Sequence, residues 1–299
     1  MGNPNFQHEI VTHATIDTLA QEPGVNIVAR IAQGVRRMID KTGERPAGVG
    51  VGCTGLIDNH RGVVVVSANL PTFKDFPLAA EIQRQVGLPT AIHNDAKAAV
   101  LGEFNFGANR GCQNMVLLTL GTGIGGGVIT GGRLLTGADN AATELGHVKV
   151  EFTDPAPCAC GTKGCIEAYC GINGVRRIAA AALSAAGSRS KLSAETLTTK
   201  ALSEAARAGD ETAKQIFVTV GHYLGRGIAH FIDIFNPEKV ILAGGASRAT
   251  DLMMPGIRQS LVQQCSFAMT RDRATIEPTA LPDDINVLGA AAVFLYARK

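Results

Sequence analysis

The stretch "ELGHVKVEFTDPAPCACGTKGCIEAYCG", Glu144–Gly171, contains one His, three Glu and four of the seven Cys of the chain. Cys158, Cys160 and Cys165 form a C-x-C-x4-C pattern, and His147 lies eleven residues before the first of them. Three thiolates and one imidazole are the ligands of a closed tetrahedral zinc site. The alternative is a coincidental group of small buried cysteines. The residues between Cys160 and Cys165 have little apolar content and cannot hold their shape by packing. This favours a structural zinc ion, which would organise them.

Two carboxylates flank this cysteine pattern. Glu144 lies three residues before His147, and Glu167 lies two residues after Cys165. A zinc-bound histidine directs its second ring nitrogen at a neighbouring group or ligand. Carboxylates beside an imidazole can accept hydrogen bonds from a polyhydroxylated ligand such as a sugar. Two solvated surface glutamates are the alternative, and the spacing alone does not decide between them.

The composition narrows the class of protein. The 299 residues carry a net charge of +2, no Trp and only 5% aromatic residues. No Lys/Arg run or aromatic platform indicates nucleic-acid binding. No apolar run reaches the roughly 18 residues of a membrane span, and the N-terminus lacks the pattern of a secretory signal. The odd total of seven cysteines and the clustering of four of them fit a reducing compartment, so we predict a cytoplasmic protein without nucleic-acid or membrane partners.

Hydrophobic patterning around this stretch predicts alternating strands and helices, and therefore a mostly parallel sheet covered by helices. In the first half we predict strands over 8–17, 47–55, 62–70 and 89–95, and helices over 25–40, 76–87 and 96–107. The second half opens with a predicted hairpin over 114–135 and a strand over 147–152. Helices over 172–187, 193–209, 210–236, 251–265 and 286–299 follow, with strands over 239–245 and 274–281.

Three short motifs occur at the ends of predicted strands. "GTGIGGG", Gly121–Gly127, forms the turn of the hairpin, and its amides can cradle phosphate oxygens. "AGG", Ala243–Gly245, follows a strand and lets a nucleotide approach the backbone. "HND", His93–Asp95, places a carboxylate where α/β sheets bind ligands. A ligand-free glycine hairpin and a helix N-cap are the alternatives for the first and third motifs. We expect His93 to be a packing residue.

Together these motifs resemble the ROK family of sugar kinases and regulators, within the actin/hexokinase-like superfamily. "CACGTKGCIE" matches the C-x-C-G-x-x-G-C-x-E signature of that family, and "ELGH" matches its E-x-G-H motif. The loops "LGTGIGGG", "HND" and "LAGG" are similar to its phosphate, catalytic and adenosine-side loops. The resemblance implies an α/β, two-lobed actin/hexokinase-like (ribonuclease H-like) fold. We expect a smaller lobe over 1–113 plus 287–299 and a larger one over 114–286.

The resemblance also implies roles for individual residues. Asp95 would be the general base that takes the proton of the sugar 6-hydroxyl. The sugar would be held by Gly55, Asn69, Asn94, Asp95, Glu144, His147 and Glu167, although this chain has Thr54-Gly55 where the family usually has Pro-Gly. ATP would lie on Thr122, Gly123, Gly125, Gly244 and Gly245. Mg²⁺ would bridge its phosphates, structural Zn²⁺ would bind His147, Cys158, Cys160 and Cys165, and the chain would form a homodimer.

One expected motif is missing. Kinases of this fold carry a D-x-G-G-T loop on their first hairpin, and no such sequence occurs in this chain. The predicted elements also indicate a missing hairpin. The first half shows one strand before its first helix, whereas the second half shows three. We expect a truncated N-terminal lobe rather than a natural variant, because losing two central strands would expose sheet edges. Whether this chain turns over ATP therefore stays open.

These features predict an ATP-dependent hexose kinase that makes glucose 6-phosphate. N-acetylmannosamine, N-acetylglucosamine, allose and fructose are alternative substrates, because kinases of the family that use them carry nearly the same residues. A catalytically impaired sugar-binding protein is a further alternative. A sugar-responsive repressor is disfavoured, because no helix-turn-helix or basic patch is evident. A zinc hydrolase is also disfavoured, because four protein ligands leave no open position for water.

Overall fold

A computed structural model of the protein describes residues 9–185, 190–193 and 197–298. The chain divides into two compact units. The first unit comprises Met1–Gly111, Leu134–Ala142 and Asp283–Lys299, and the second comprises Cys112–Arg133 and Thr143–Pro282. None of the described helices is both long enough and apolar enough to cross a membrane.

Helices and strands alternate along the chain. Up to the middle of the chain the elements are α1 (Gly24–Thr42), β1 (Val49–Cys53), β2 (Leu56–Asp58), β3 (Val63–Val66), α2 (Leu78–Val86), β4 (Thr90–Asn94), α3 (Asp95–Phe106), β5 (Met115–Leu120), β6 (Ile124–Thr130) and β7 (Arg133–Leu134). The later elements are α4 (Glu167–Cys170), α5 (Ile172–Ser184), α6 (Thr199–Arg207), α7 (Glu211–Phe235), β8 (Lys239–Ala243), α8 (Thr250–Gln264), α9 (Ala268–Arg273), β9 (Thr275–Pro278) and α10 (Ile285–Tyr296). Two 3₁₀ turns, Leu145–His147 and Gly245–Ala249, complete the set.

The first unit is built on a parallel pair of strands, β1 and β4, whose last residues Cys53 and Asn94 lie opposite each other. One face of this pair is covered by α1 and α2, which share a buried apolar cluster with β2, β3 and β4. The other face is covered by α3 and α10 at very short range. A Cβ on Gly50 would lie 1.8 Å from the carbonyl oxygen of Ala290 in α10. Only glycine at position 50 allows the strand and the helix to approach this closely.

The second unit contains a five-stranded sheet in the order β7-β6-β5-β8-β9. β5 and β6 form an antiparallel hairpin that runs from Met115 opposite Ile129 to Leu120 opposite Ile124. β8 lies parallel to β5 on its other side, and β9 lies parallel to β8. The central strands β5 and β8 are almost fully buried. The carboxyl ends of β5 and β8 therefore meet at the same edge of the sheet.

Most of the elements predicted from the patterning are confirmed, and their ends follow local signals. α1 and α2 end where Gly43 and Gly87 adopt left-handed backbone angles, and their amides donate to the carbonyls of Ile39 and Gln83. The helix predicted from residue 193 begins only at Thr199, because the hydroxyl of Thr198 caps it by accepting from the amide of Ala201. Parts of two predicted segments, 186–187 and 194–196, lie outside the described residues.

Two predicted strands are wrong. The one predicted over 8–17 begins outside the described residues, and residues 9–17 form no strand despite their β-branched content. The one predicted over 147–152 forms instead a 3₁₀ turn and an irregular segment. Its backbone hydrogen bonds join it to the segment that carries the cysteines. The amide of Val150 donates to the carbonyl of Gly164, and the amide of Ile166 donates to the carbonyl of Val148. The strand of the sheet that follows the β5–β6 hairpin along the chain is the short β7. The β2–β3 hairpin was not predicted.

The close approach of β1 and α10 predicts a large effect of one methyl group. We expect Gly50→Ala to lower the free energy of unfolding by about 1–3 kcal/mol, because the added carbon overpacks the contact with Ala290. The matched control is Gly34→Ala, where nothing lies within 4 Å of the added carbon. Gly34 is inside a helix, so its replacement should stabilise the protein by up to about 1 kcal/mol. Urea unfolding measures both, and equal effects would contradict the packing argument.

Candidate functional site

The carboxyl ends of β1 and β4 bring together one group of predicted site residues. Asn94 caps α3, because its side-chain oxygen accepts from the amides of Ala96 and Lys97 at 3.0 and 3.2 Å. Its side-chain nitrogen donates to the carbonyl oxygen of Gly55 at 3.2 Å. The carboxylate of Asp95 accepts from the amide of Ala96 at 2.9 Å and is exposed to solvent. Since Asn94 supplies the cap, the exposed carboxylate of Asp95 is available for chemistry.

The loop after β1 adds the remaining predicted residues of the first unit. Gly55 has φ of 112°, and a Cβ there would lie 2.3 Å from the carbonyl oxygen of Val66, so this turn requires glycine. The side chain of Asn69 donates to the hydroxyl of Thr54 at 3.2 Å. Ser67 lies beside Gly55, and its buried hydroxyl has no partner among the described residues. Thr54 and Ser67 were not predicted, because only the folded loop places them beside Gly55 and Asn69.

His93 is buried at the end of β4, in agreement with its prediction as a packing residue. Its Nδ1 accepts from the amide of Asn94 at 2.9 Å, so the proton of the neutral ring lies on Nε2. Nε2 is buried without a partner among the described residues. Burial, helped by the charges of Lys97 and His60, lowers the pKa of His93 to about 4. The ring is therefore neutral at pH 7.

In the second unit, the four predicted zinc ligands form one cluster. The donor atoms of His147, Cys158, Cys160 and Cys165 all lie within 4.8 Å of one another. Nδ1 of His147 is 3.8 Å from the sulfur of Cys158, and the sulfurs of Cys160 and Cys165 are 3.7 Å apart. Four donors about 2.3 Å from a central zinc ion would be separated by about 3.8 Å in a tetrahedron. The identity and closeness of the four donors therefore fit a closed zinc site.

The surroundings of the cluster favour thiolates at its exposed end. The pKa of Cys160 is lowered to about 6, and the largest cause is a hydrogen bond from the side chain of Thr162. Burial raises the pKa of Cys158 to about 12, so metal binding there must release a proton. The ammonium group of Lys149 lies 2.8 Å from the sulfur of Cys165, and this contact raises the pKa of Lys149. Lys149 is a cluster neighbour that the sequence did not reveal, because its position depends on the fold of the cysteine segment.

The E-x-G-H motif forms the 3₁₀ turn that packs on β6. A Cβ on Gly146 would lie 1.9 Å from the carbonyl oxygen of Ile124, so only glycine fits there. The turn leaves Glu144 exposed and His147 half-buried at the cluster. Glu167 begins α4 on the other side of the cluster. One of its carboxylate oxygens lies 3.4 Å from the sulfur of Cys158, and the other accepts from the amide of Ile124 at 3.0 Å.

The two predicted nucleotide loops are neighbours at the carboxyl edge of the sheet. The loop Gly121–Gly125, which we call the phosphate loop, connects β5 to β6 and leaves Thr122 exposed. The loop at Gly244–Gly245 follows β8, which pairs with β5 up to the level of Thr119 and Ala243. A Cβ on Gly244 would lie 2.6 Å from the carbonyl oxygen of Leu120, whereas one on Gly245 would meet nothing within 4 Å. Open backbone at this edge can receive a nucleotide.

The structure therefore forms two groups from the predicted residues. Gly55, Asn69, Asn94 and Asp95 lie together in the first unit. The second unit holds the remaining ones: Thr122, Gly123, Gly125, Glu144, His147, Cys158, Cys160, Cys165, Glu167, Gly244 and Gly245. Within the second unit the cluster of predicted zinc ligands and the phosphate loop are adjacent, which the sequence did not reveal.

Solved structures with similar folds include sugar kinases. A ROK family glucokinase from Streptomyces griseus, solved with glucose and AMPPNP, aligns with a TM-score of 0.79 and 31% identity over 93% of this chain and 89% of that one. A ROK hexokinase from Thermus thermophilus aligns with a TM-score of 0.76 and 29% identity over 95% of this chain and 90% of that one. The α/β fold of the two units is thus that of sugar kinases with the actin/hexokinase-like fold.

The chain belongs to the ROK family, which it matches over residues 5–297. It is 40% identical over 296 residues to a glucokinase from Thermotoga maritima, covering 95% of this chain and 90% of that enzyme. The transcriptional repressor Mlc from Escherichia coli is 32% identical over 252 residues, covering 84% of this chain and 61% of that protein. The family assignment made from the motifs is confirmed.

The buried neutral ring of His93 predicts a pH dependence of stability. Its folded pKa of about 4 lies below the ordinary value of 6.5, so the unfolded chain binds the proton more tightly. The neutral ring makes its full contribution to the free energy of unfolding above pH 6.5. As the pH falls towards 4, that free energy decreases by up to about 3 kcal/mol. We expect His93→Asn, which keeps an acceptor for the amide of Asn94, to lack this part of the pH dependence. Urea unfolding of both proteins between pH 7 and 4 measures it, and parallel curves would contradict it.

Proposed function

We propose that this chain is an ATP-dependent glucokinase that transfers the γ-phosphoryl group to the 6-hydroxyl of glucose. The observation that carries the proposal is the 40% identity with the glucokinase from Thermotoga maritima across 90% of that enzyme. The glucose- and AMPPNP-bound relative from Streptomyces griseus adds support at 31% identity. The repressor Mlc matches at a lower identity of 32%, which favours the kinase.

Asp95 is the residue to which we assign proton transfer. Its carboxylate is exposed at the end of β4, beside the loop that holds Gly55 and Asn69. An exposed carboxylate in hydrogen-bond reach of a sugar hydroxyl can accept its proton as the oxygen attacks phosphorus. Asn94, Gly55 and Asn69 would orient the sugar, and the buried Ser67 hydroxyl offers one further partner. Phosphoryl transfer depends mainly on such positioning and on charge stabilisation.

The second unit supplies the other proposed contacts. Glu144 and His147 would accept and donate hydrogen bonds to the remaining sugar hydroxyls, with Glu167 beside them. Thr122, Gly123 and Gly125 of the phosphate loop would bind the ATP phosphates, and Gly244 and Gly245 would face the adenosine side. Mg²⁺, when bound with ATP, neutralises phosphate charge. Gly245 suits this role because nothing lies within 4 Å of a Cβ placed there, and Gly244 suits it because its backbone packs directly on the end of β5.

The cluster of His147, Cys158, Cys160 and Cys165 is proposed to hold a structural zinc ion. Its four donors close the coordination shell, so the metal would organise the segment around Glu144 and Glu167 without taking part in phosphoryl transfer. Free thiols at this cluster fit the reducing cytoplasm, which we propose as the location. The homodimer implied by the family resemblance stays a prediction.

The direct test of the proposed function is ADP release by the purified chain with Mg²⁺, ATP and glucose, against a control without sugar. Glucose-dependent release supports the kinase. Parallel assays with N-acetylmannosamine, N-acetylglucosamine, allose and fructose identify the preferred acceptor. Glucose binding without ADP release would support the sugar-binding alternative instead.

The role of Asp95 predicts a separation of binding from turnover. We expect Asp95→Asn to lower kcat by about 10²–10⁴-fold, because the amide cannot take the proton. Glucose affinity measured by calorimetry should stay within about threefold, because the cap of α3 belongs to Asn94. Asp75→Asn is the matched control, since Asp75 is exposed and its positive φ suits asparagine equally well. Substantial turnover by Asp95→Asn would refute its assignment as the base.

The cluster predicts about one zinc ion per chain in freshly purified protein, measured by elemental analysis. We expect Cys158→Ser to contain little zinc and to unfold at a temperature lower by at least about 5 °C, because the metal contributes folding free energy. Cys265→Ser is the matched control, because Cys265 lies outside the cluster at the end of α8. Protein that folds normally and contains no metal would rule out the zinc site.

A further inference from the structure

The carboxylate of Glu167 lies between two functional loops of the second unit. One oxygen accepts from the amide of Ile124, directly after the tip of the phosphate loop, at 3.0 Å. The other lies 3.4 Å from the sulfur of Cys158 in the metal cluster. A single side chain thus contacts both the predicted nucleotide site and a predicted zinc ligand.

The contact with the phosphate loop is tight. A Cβ on Gly123 would lie only 2.3 Å from the Glu167 carboxylate, so the carboxylate rests directly on the loop backbone. The start of α5 holds the same loop from a second point, because the amide of Ile172 lies 3.3 Å from the carbonyl oxygens of Gly121 and Thr122. The short segment from Glu167 to Ile172 therefore determines where the loop backbone lies.

The position of Glu167 depends in turn on the cluster. Glu167 follows the ligand Cys165 by two residues, and the amide of Ile166 donates to the carbonyl of Val148, next to the ligand His147. The two chain segments that carry these ligands are thus joined directly before Glu167. A metal ion that holds both segments would restrict the carboxylate to the position from which it reaches Ile124.

We propose that Glu167 is a positioning residue that couples the metal cluster to the phosphate loop, so that metal occupancy sets the affinity for nucleotide. The coupling is reciprocal, and bound nucleotide tightens metal binding by the same factor. The inference rests on the proposed nucleotide role of the phosphate loop. It adds to the sugar-binding role of Glu167 a second role on the nucleotide side.

The test compares binding of a non-hydrolysable ATP analogue with Mg²⁺, in the absence of sugar, by two proteins, each in two states. Wild type and Glu167→Ala are each measured as purified and after removal of zinc by a chelator, which is itself then removed. We expect chelation to weaken binding by wild type about tenfold, within the range usual for coupled sites. Glu167→Ala should bind about tenfold more weakly with its metal in place, and chelation should weaken it little further. Elemental analysis confirms the zinc content of each sample.

Two further variants separate the coupling from general damage. Glu167→Gln keeps an oxygen that accepts from Ile124, and its nucleotide affinity should stay within about threefold of wild type. Glu144→Gln alters the exposed carboxylate of the E-x-G-H turn and should weaken glucose binding without changing nucleotide affinity. Circular dichroism checks that each protein is folded.

Hydrogen exchange provides a readout that needs no variant. In wild type, chelation should accelerate exchange at the amide of Ile124, because its acceptor is released. Unchanged exchange at Ile124, or equal weakening of nucleotide binding by chelation in wild type and Glu167→Ala, overturns the coupling and leaves the proposed function standing. Wild type that binds no ATP analogue with its metal in place overturns the proposed nucleotide site and the coupling together.

Discussion

Parallel pairing of neighbouring strands is the constraint on which both groups of candidate site residues depend. Parallel strands end at the same edge of a sheet, so the residues that follow them must lie side by side. In the first unit this pairing places Asn94 opposite Cys53, and hence Asp95 beside the loop of Gly55. In the second unit it places the phosphate loop beside the glycines that follow β8. Residues far apart in the chain are thus brought together by strand pairing.

Glycines and one carboxylate hold these loops at short range. The glycines at positions 146 and 244 each lie where a Cβ would overlap a backbone carbonyl group. Glu167 occupies the space beside Gly123 in a similar way, but it also contacts the cysteine cluster. In the second unit these loops therefore present a surface of closely packed backbone, to which a few charged side chains are added. Such a surface suits phosphate groups and sugar hydroxyls, which are recognised through many hydrogen bonds.

The patterning predicted the long elements well and the irregular ones poorly. The apolar period of α1 and α7 and the buried runs of β5 and β8 were recognised because each depends on its own residues. The strand predicted over 147–152 was wrong, because its backbone pairs with the cysteine segment instead of the sheet. Alternation of side chains cannot reveal which partner a strand-like segment will find.

The sequence by itself determined the family and the candidate site residues. The spacing of Cys158, Cys160 and Cys165 and the E-x-G-H motif can be read directly from the order of residues in the chain. Only the tertiary structure decided which of these residues meet. It made Asn94 the cap of α3 and left Asp95 exposed, and it brought Lys149 to Cys165 and Glu167 to Ile124. The physical reason is that ligand spacing is a local property, whereas hydrogen-bond partners between distant segments are set by the packing of strands, turns and glycines around them.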